Sequence, residues 1–587
     1  MAREKSKYTG KGGSPGLEMI DAQRLTRVAL GEEIADLALT GGLVLNVYTG
    51  EILSGQVILV KGEHIAYVGP PDGQPAAART LELAGRLVVP GFIEGHTHHD
   101  IFLTVPENVR RSLPRGVTTV VTECSQTALA AGAAGVREFL AQFRDQPQRY
   151  RATCPMIAFL CGGKAISKTE ILELLGRPEI VGLGEIYWSY LLGPDGGETF
   201  SLIGEALARG KTVEGHSAGA RRGRLAAFAA AGVDACHEPI TAEEVRDRLR
   251  LGLWTMIREG SIRRELDAVL PALLPMNLDL SRALLVSDGV WPGDDGHLDA
   301  VVQKAIDLGL DPVRAIQMVT VNAAGHFHLD ELGGIAPGKA ADLVVLPDLR
   351  VIRPEMVICR GRLAAEDGRL LVEPAPVSFS PAMRRTISFP KVEPGFFRVP
   401  GEQGRVRVME MVTAIVTRET ICDLPVRDGE IRADASRDIL KVACLDRHGD
   451  GGFTGFFRGF GLAGGAVAAS WGFDLGNPVA IGALDTDLAL AVNRLVELGG
   501  GLVLADDGRV VAELALPLFG AISDRSWIDT ARELTILGGE LKARGCRGDN
   551  PLLTLLTVSF TAIPALRVTA EGYRLVRENT QVGLPAD

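Results

Sequence analysis

The middle of the chain alternates between short apolar runs, which are typical of buried strands, and longer segments with helical periodicity. The apolar run before His96 is counted as the first strand, and the later candidate strands are GVTTVVTEC, MIAFLCGG, IVGLGEIYW, KTVEGHSAG, VDACHE, LWTMIREGS and RALLVSDGV. Eight such units predict a closed parallel (β/α)8 barrel, because parallel strands need helical crossovers and eight strands can close the sheet. The predicted fold class is therefore α/β, with a TIM-like barrel over residues 89–332.

Two β-rich segments with Gly-containing turns flank this barrel, at residues 37–88 and 333–372. Because both segments have short β-rich runs with Gly-containing turns, we predict one small β-sandwich-type domain that is split in the sequence. Residues 373–400 are Pro-rich and polar, and we expect them to be a linker to a C-terminal α/β domain over residues 401–587. Residues 1–36 begin with a charged, Gly-rich stretch that lacks the apolar core of a signal peptide, so we expect a partly disordered leader.

The composition argues against several classes of function. A net charge of −11 and an isoelectric point near 5.6 do not suit a nucleic-acid-binding surface, which would be basic. No apolar run reaches the roughly 18 residues that a membrane-spanning helix needs. The eight cysteines are scattered without a CxxC pair, which favours a reducing cytoplasm over a disulfide framework. We therefore expect a cytoplasmic protein whose partner is a small molecule, with no nucleic acid and no membrane.

Side chains that can bind metal lie at the ends of the candidate strands. In a β/α barrel these ends converge on one face, where catalytic groups sit. Residues i and i+2 of a strand point to the same side, so His96 and His98 can bind one cation together. Imidazole nitrogens and carboxylate oxygens suit divalent metals such as Zn, Mn, Fe or Co. The predicted ligands of two divalent ions are His96, His98, Glu185, His216, His237 and Asp288.

Catalytic roles are predicted from the same placement, for Asp288, Glu185 and His237. Glu185 is expected to bridge the two ions, and such a pair of ions lowers the pKa of a bridging water toward neutrality. Asp288 is expected to be both a ligand and a proton carrier. The alternatives are that Glu123 or a carboxylated Lys164 supplies the bridge, and that Asp288 only caps the following segment.

The remaining barrel histidines are expected to have other roles. His99 points away from its neighbours on an extended strand, so we expect it outside the metal ligands, beside them or toward solvent. His326 and His328 form a second His-x-His, but no candidate strand precedes them, and a structural role is expected.

The ordered motifs resemble the amidohydrolase superfamily over roughly Gly41 to Leu371: His-x-His after the first strand, a bridging Lys or Glu, a His after strands five and six, and an Asp after strand eight. Within it, VGLGEIYW, EGHSAG and, nearer the C-terminus, GDGGFTGFFRGFGLAGGAVAAS resemble the bacterial adenine deaminases. The resemblance implies hydrolysis of adenine to hypoxanthine and ammonia with Mn or Fe, and Zn is the alternative metal. A homo-oligomer is the default expectation for such an enzyme.

Three stretches depart from the adenine deaminase pattern. TECSQ at 122–126 stands in place of an Asp-Pro-His-Glu run, and FDLGN at 473–477 stands in place of His-Asp-Ser-His-Asn. SDGVW keeps only Asp288 where the pattern has two aspartates followed by Arg and His. These departures leave two alternatives open, hydrolysis of a cyclic amide or other C–N bond in a different small heterocycle, and a non-catalytic scaffold. The possible substrate contacts are Glu123, Ser125, Arg258, Glu259 and Trp291.

Overall fold

A computed structural model of the protein describes residues 19–71, 77–161, 165–194, 196–449 and 451–585. Lys164, considered above as an alternative bridge, and the first half of the predicted leader lie outside these residues. The described part of the leader contains a helix, Met19–Ala29. Its Leu25 and Val28, three residues apart on one face, are buried against apolar side chains of the β domain. This part of the leader therefore packs against the β domain.

Eight parallel strands form the barrel, in chain order. Neighbouring strands pair within the first five and within the last three. Backbone hydrogen bonds join the two groups: Asp234 N donates to Val213 O at 2.9 Å, and Asp288 N donates to His96 O at 3.1 Å. The sheet is thus closed, and the predicted fold class is confirmed. The strands are Phe92–Thr97, Val117–Thr122, Arg149–Cys154, Ile180–Tyr187, Thr212–His216, Ala235–Cys236, Trp254–Arg258 and Ala283–Val286.

Helices follow the barrel strands and cover the outside of the sheet. Apolar side chains inside the barrel, among them Ile93, Val121, Met256 and Leu284, form a layer that fills its interior. The helices of this region are Val105–Ser112, Ser125–Ala141, Met156–Leu160, Lys168–Leu175, Trp188–Leu191, Gly197–Ala208, Gly223–Ala230, Ala242–Arg250, Leu266–Leu273, Leu298–Asp307, Pro312–Met318 and Val321–His326.

The third barrel strand is not the predicted one. The run MIAFLCGG begins with the helix Met156–Leu160, and the strand is the preceding segment Arg149–Cys154. Pro155 separates them, since the residue before a proline favours extended backbone and Pro suits a helix start. The charges in RYRATC conceal the strand, because the partner of Arg149 is distant in sequence: its Nε donates to Asp342 Oδ2 at 2.8 Å.

The apolar run before His96 forms two strands that belong to different domains. Leu87–Pro90 pairs with strands of the β domain, and Phe92–Thr97 starts the barrel. Gly91 between them lies so close to Thr118 that an added Cβ would be 2.2 Å from its Oγ1. A side chain at this junction would therefore require Thr118 of the second barrel strand to shift.

The β domain is a sandwich built from both flanking segments, as predicted. Its seven-stranded sheet has the order Arg369–Leu370, Arg362–Glu366, Met356–Cys359, Leu343–Leu346, Leu87–Pro90, Leu43–Asn46 and Glu51–Leu53. The four-stranded sheet has the order His64–Gly69, Val57–Lys61, Ala35–Thr40 and Ala77–Glu82. Alternate side chains of the two sheets, such as Leu37, Ile58, Val44 and Leu343, share one core.

The C-terminal domain is built around an eight-stranded sheet with the order Thr417–Asp423, Arg405–Met411, Gly452–Arg458, Ile439–Leu445, Val479–Gly482, Ala466–Ala469, Gly501–Asp506 and Arg509–Ala515. Its smaller strands are Val426–Arg427, Glu430–Ile431, Leu566–Thr569, Gly572–Leu575 and Thr580–Val582, and its helices are Asp485–Leu498, Trp527–Ala543 and Pro551–Thr557. The expected linker 373–400 is partly buried here, since Ile387, Phe389 and Phe397 share a core with helix Asp485–Leu498.

The C-terminal domain packs against the carboxyl-end face of the barrel. Phe102, which follows the first barrel strand, lies with ring centroids 6.0 Å from Trp471 of the C-terminal domain. The backbone is joined as well, because Phe102 N donates to Ala521 O at 2.7 Å. This packing brings C-terminal side chains next to the ends of the barrel strands.

Candidate metal centre and active-site cavity

The structure brings the six predicted ligand side chains together at the carboxyl ends of the barrel strands. They form two groups in which the possible ligand atoms lie within 4.8 Å of one another. The two groups share Glu185. The first group is His96, His98, Glu185 and Asp288, and the second is Glu185, His216 and His237.

One carboxylate oxygen faces both groups. Glu185 Oε1 lies 3.3 Å from His96 Nε2, 3.4 Å from His98 Nε2 and 3.5 Å from His237 Nε2. Asp288 Oδ1 lies 3.3 Å from the Nε2 atoms of both His96 and His98. Glu185 thus has the placement that a bridging carboxylate requires.

Local backbone structure fixes these positions. His96 and His98 alternate on the extended end of the first strand, so their imidazoles reach the same site. Asp288 has a positive φ of 55°, a conformation that aspartate tolerates better than most residues. Its backbone N–H donates to His96 O, which couples two members of the first group directly.

Glu94, which was not among the predicted site residues, binds the backbone next to His96 and Asp288. Its side-chain oxygens accept hydrogen bonds from His96 N at 3.4 Å and from Ser287 N at 3.1 Å. Burial raises the pKa of Glu94 to about 7, although these hydrogen bonds oppose the shift. The signal was available, because Glu94 precedes His96 by two residues and therefore shares its face of the strand.

These residues fit a divalent metal ion. Two atoms bound to one ion at about 2.1 Å in tetrahedral geometry are about 3.4 Å apart. The nitrogen–oxygen separations of 3.3 to 3.5 Å match that spacing and exceed the 2.7–2.9 Å of direct charge-assisted hydrogen bonds. In addition, His96 Nε2 is buried and makes no hydrogen bond. The donor set, imidazole with carboxylate, suits a first-row transition metal or zinc.

The electrostatics of the site favour positive charge at the first group. Burial lowers the pKa of an imidazole, but the adjacent carboxylates of Asp288 and Glu185 outweigh it and raise the pKa of His96 to about 10. His237 shows the opposite result, since burial and the neighbouring His96 lower its pKa to about 3. The carboxylates thus attract a cation between the imidazoles.

Glu238 is a second carboxylate at the site that was not among the predicted ligands; a helix-start role together with His237 was the alternative for it. It is buried, and its Oε1 lies 3.3 Å from His216 Nε2 and 3.4 Å from His237 Nε2. Although burial raises the pKa of a carboxyl group, Arg258 outweighs burial and lowers the pKa of Glu238 to about 2. Its place directly after His237 at a strand end was the signal that could have identified it.

A cavity adjoins the two ligand groups and is enclosed by both domains. The barrel contributes apolar side chains and the polar groups already described, and the C-terminal domain contributes a mostly apolar wall. The lining residues are His98, Ile157, Glu185, Tyr187, His216, His237, Glu238, Arg258, Ile262, Arg263, Asp288, Ile415, Phe473, Asp474, Thr557, Phe560 and Ile563.

Arg258 is the one predicted substrate contact that lines this cavity. Its Nη1 donates to Asp288 Oδ2 at 3.0 Å and also to Glu238 Oε1. Its Nε and Nη2 are buried without hydrogen-bond partners. Arg258 therefore binds two carboxylates at the site, and its Nε and Nη2 groups remain able to donate further hydrogen bonds.

The other four predicted substrate contacts do not line the cavity. Glu123 is buried and accepts a hydrogen bond from Thr153 Oγ1 at 2.6 Å, and Ser125 Oγ lies 3.5 Å from Glu123 Oε2. Burial, with the charge of Glu185, raises the pKa of Glu123 to about 8. Glu259 accepts a hydrogen bond from Lys304 Nζ at 2.8 Å.

Trp291, the last of these four, packs in the core between the two domains. Its ring centroid lies 5.0 Å from that of Phe102. Its backbone carbonyl accepts a hydrogen bond from Arg111 Nη2 at 3.1 Å. Trp291 therefore adds apolar contact with Phe102, whose ring in turn lies against Trp471 of the C-terminal domain.

Asp474, in the departing FDLGN stretch, reaches the cavity from the C-terminal domain. Its Oδ1 accepts a hydrogen bond from Tyr187 Oη at 2.5 Å, and its Oδ2 accepts from Thr561 Oγ1 at 2.9 Å and from Ala562 N at 3.0 Å. Tyr187 in turn lies edge-on to His216, with ring centroids 4.7 Å apart. Asp474 thus links the C-terminal domain to the end of the fourth barrel strand.

The structure also locates the histidines that were expected to have other roles. His99 is buried, and its Nδ1 lies 3.1 Å from Tyr150 Oη, away from the ligand groups. His326 Nε2 lies 2.9 and 3.0 Å from the two oxygens of the buried Glu214. His328 is exposed. None of these imidazoles belongs to the two ligand groups of the described residues.

Comparison with known proteins agrees with this arrangement. Residues 87–364 match the amidohydrolase family, and residues 414–580 match the adenine deaminase C-terminal domain. The chain is 35% identical over 573 residues to an adenine deaminase of Cenarchaeum symbiosum, covering 95% of this chain and 94% of that protein. The chain belongs to the adenine deaminase family.

Other members of the family are similarly close. The adenine deaminase of Moorella thermoacetica is 37% identical over 572 residues, with 94% of this chain and 96% of that protein covered. That of Clostridium botulinum (strain Loch Maree / Type A3) is 34% identical over 574 residues, with coverage of 94% and 95%. The resemblance inferred from the motifs is confirmed. Among the helices that the structure describes, none combines the length and apolar character needed to cross a bilayer.

Proposed function

We propose that the protein is a metal-dependent deaminase that hydrolyses adenine to hypoxanthine and ammonia. One observation carries the proposal: two groups of imidazoles and carboxylates share Glu185 beside a cavity, in a chain of the adenine deaminase family. The relatives named above as adenine deaminases match it over nearly its whole length, and a small purine base is the substrate class that they support.

The proposed cofactor is a pair of divalent ions, Mn or Fe in the first place and Zn as the alternative. His96, His98 and Asp288 would hold one ion, His216 and His237 the other, and Glu185 both. When bound, the ions supply Lewis acidity and make water acidic enough to yield a nucleophile near neutral pH. The spacing of the ligand atoms and the unpartnered Nε2 of His96 support this assignment.

Asp288 is proposed to move the protons. One of its oxygens faces His96 and His98, and the other accepts a hydrogen bond from Arg258, so the carboxyl group lies between the ligands and the cavity. It would accept a proton from the attacking water and deliver it to the amino group that leaves the ring carbon. One water is consumed, the C–N bond breaks, and ammonia and the oxo product remain.

The cavity wall suits a flat heterocycle. Phe473 and Phe560 of the C-terminal domain lie with ring centroids 5.6 Å apart, and Ile262 and Ile563 add further apolar surface. Aromatic and aliphatic surface of this kind can cover the face of a purine ring. Arg258 and Glu238 supply donor and acceptor groups at the ring edge.

The test is a substrate screen and a metal analysis on one preparation. Purified protein with added Mn²⁺ is expected to release ammonia from adenine, to lose activity in chelator, and to regain it with Mn²⁺. Asp288→Asn is expected to lower kcat by about 10²–10⁴-fold. Ammonia from a panel of small lactams but not from adenine would favour cyclic-amide hydrolysis, and metal binding without turnover would favour a scaffold.

Two further expectations belong to this proposal. All eight cysteines are free thiols, which supports a reducing cytoplasm as the location. A homo-oligomer is proposed on the general preference of such enzymes for symmetric assembly. Light scattering of the purified protein measures the second of these directly.

A further inference from the structure

The second ligand group contains three of the predicted residues, whereas the first contains four. Glu238 belongs to neither group, but it lies beside the two imidazoles of the second. Its Oε1 lies 3.3 Å from His216 Nε2 and 3.4 Å from His237 Nε2. The corresponding carboxylate of the first group, Asp288 Oδ1, lies 3.3 Å from both of its imidazoles. The two carboxylates thus stand in the same relation to their imidazole pairs.

We propose that Glu238 is the fourth protein ligand of the second metal position. The inference rests on the proposed metal-dependent function. With Glu238 included, each position has two imidazole nitrogens and two carboxylate oxygens, and Glu185 is common to both. These ligand types suit zinc and related divalent ions, and a fifth coordination position would remain for the water that the proposed reaction requires.

Glu238 shares its cationic partner, Arg258, with a second buried carboxylate. The side chains of Glu238, Asp288 and Arg258 are respectively 7%, 4% and 3% exposed. The Nη1 atom of one guanidinium donates to both carboxylates. One positive charge thus faces two buried carboxylates, and a second cation nearby would lower the cost of burying both. A divalent ion between His216 and His237 would supply that charge next to Glu238.

Arg258 also explains how the ligand is positioned. By holding Glu238 and Asp288 at the same nitrogen, it fixes the distance between the terminal carboxylates of the two groups. The backbone of Glu238 is fixed separately, since its N–H lies 3.3 Å from Cys236 Sγ. Arg258 is therefore a positioning residue for two ligands.

The competing role is that Glu238 serves only as an ion-pair partner of Arg258. Glu265 provides the matched control, because it is also buried, its Oε1 lies 3.8 Å from Arg258 Nη2, and its other partner is Arg263. Among the described residues Glu265 pairs only with these two arginines, whereas Glu238 also lies next to His216 and His237. Loss of either glutamate removes a negative charge near Arg258, but only loss of Glu238 removes a candidate ligand.

The experiment measures metal binding rather than activity. Full-length wild type, Glu238→Gln and Glu265→Gln are stripped of metal with chelator and titrated with Mn²⁺ in equilibrium dialysis. Glu238→Gln is expected to bind the first ion with wild-type affinity and the second at least 100-fold more weakly, because a lost ligand costs more than the 10–100-fold of a lost supporting partner. Glu265→Gln is expected to bind both ions like wild type.

Electron paramagnetic resonance gives an independent readout. Wild type with two Mn²⁺ is expected to show the signal of a coupled pair, and Glu238→Gln at the same free Mn²⁺ the signal of an isolated ion. Circular dichroism of the metal-free proteins establishes that each is folded. If Glu238→Gln does not fold, Glu238→Asp takes its place in the titration. The shortened carboxylate is expected to weaken binding of the second ion only.

Two ions bound by Glu238→Gln with wild-type affinity would overturn the inference and leave the proposed deaminase function intact. Equal weakening in Glu238→Gln and Glu265→Gln would also overturn it, because charge near Arg258 would then be the cause. Wild type that binds fewer than two ions would overturn both the inference and the proposed pair of ions.

Discussion

Asp474 is a buried carboxyl group at the contact between the barrel and the C-terminal domain, and Asp474→Asn is expected to change how stability depends on pH. Burial raises the pKa of Asp474 from its usual 3.8 to about 6, although hydrogen bonds from Tyr187 and Thr561 oppose the shift. The folded protein therefore binds this proton more tightly than the unfolded chain does. Stability from this group is present at low pH and is lost as pH rises from 3.8 through about 6.

The magnitude follows from the shift. About 2 pKa units correspond to about 3 kcal/mol over the whole titration. About half of that amount, ~1.4 kcal/mol, is lost between about pH 5 and pH 8, since the unfolded chain has already lost most of its proton at the lower value. Asparagine does not titrate, so the difference in unfolding free energy, variant minus wild type, is expected to rise by about 1.4 kcal/mol over this range.

A constant offset accompanies this change. The asparagine amide offers one oxygen where the carboxylate offers two, so one of the three donors around Asp474 loses its acceptor. An unsatisfied buried donor costs about 1–3 kcal/mol at every pH. The slope with pH, rather than the offset, is therefore the quantity that tests the reasoning.

The assay is urea unfolding of metal-free proteins at both pH values, followed by tryptophan fluorescence and circular dichroism. Removal of metal beforehand prevents loss of ligands at low pH from contributing. Asp507→Asn is the matched control, because Asp507 has a similar positive φ of 51° but a side chain that is 90% exposed. If the difference in unfolding free energy between Asp474→Asn and wild type stays constant, or falls as pH rises, the assignment of a raised pKa to Asp474 is refuted.

Two other substitutions test buried ion pairs away from the cavity. Lys441 is 2% exposed and pairs with Glu430 at 3.0 Å and Asp485 at 2.6 Å, so Lys441→Met is expected to lower the unfolding free energy by about 3–5 kcal/mol, as measured in urea. His326→Gln removes the contact with Glu214 and is expected to cost about 1–3 kcal/mol of stability while leaving kcat for adenine within about twofold. A tenfold fall in kcat would contradict the structural role of His326.

The convergence of the six candidate ligands could be predicted from the sequence because it depends on local order. Each of them stands at or directly after a strand, and strands of a parallel barrel end on one face. His96 and His98 could be predicted from the alternation of side chains along an extended chain. Glu185 could be predicted from its place near the end of an apolar strand. These signals are local, so the error in the third strand did not disturb them.

The rest of the site depends on contacts between residues that are far apart in the chain. Arg149 and Asp342 are separated by 193 positions, and the strand that Arg149 begins is recognisable only when that pair is known. Trp291 stands directly after the eighth strand like a substrate contact, but Phe102 and the C-terminal domain bury it. Packing between domains has no periodic signature in the sequence.

The C-terminal domain explains why some positions of the departing FDLGN stretch changed and others did not. Asp474 and Asn477 are retained from the family pattern, and both have fixed hydrogen-bonding roles: Asp474 with Tyr187, and Asn477 Oδ1 as acceptor for Arg447 N at 3.3 Å. Gly476 faces Leu129 of the barrel so closely that a Cβ would lie 2.7 Å from the leucine Cβ. A histidine cannot be accommodated there without moving the domains apart.

Phe473 is the departure that alters the cavity itself. It replaces a histidine of the family pattern with a ring that cannot hydrogen-bond, and it lies with ring centroids 5.6 Å from Phe560. The polar groups that the C-terminal domain adds to the cavity lining are then Asp474 and Thr557, while Phe473 and Phe560 provide apolar surface that would cover the ring of the proposed substrate. Exclusion of water strengthens the electrostatic interactions of the ligand groups, so the apolar wall and the charged barrel mouth act on the same reaction.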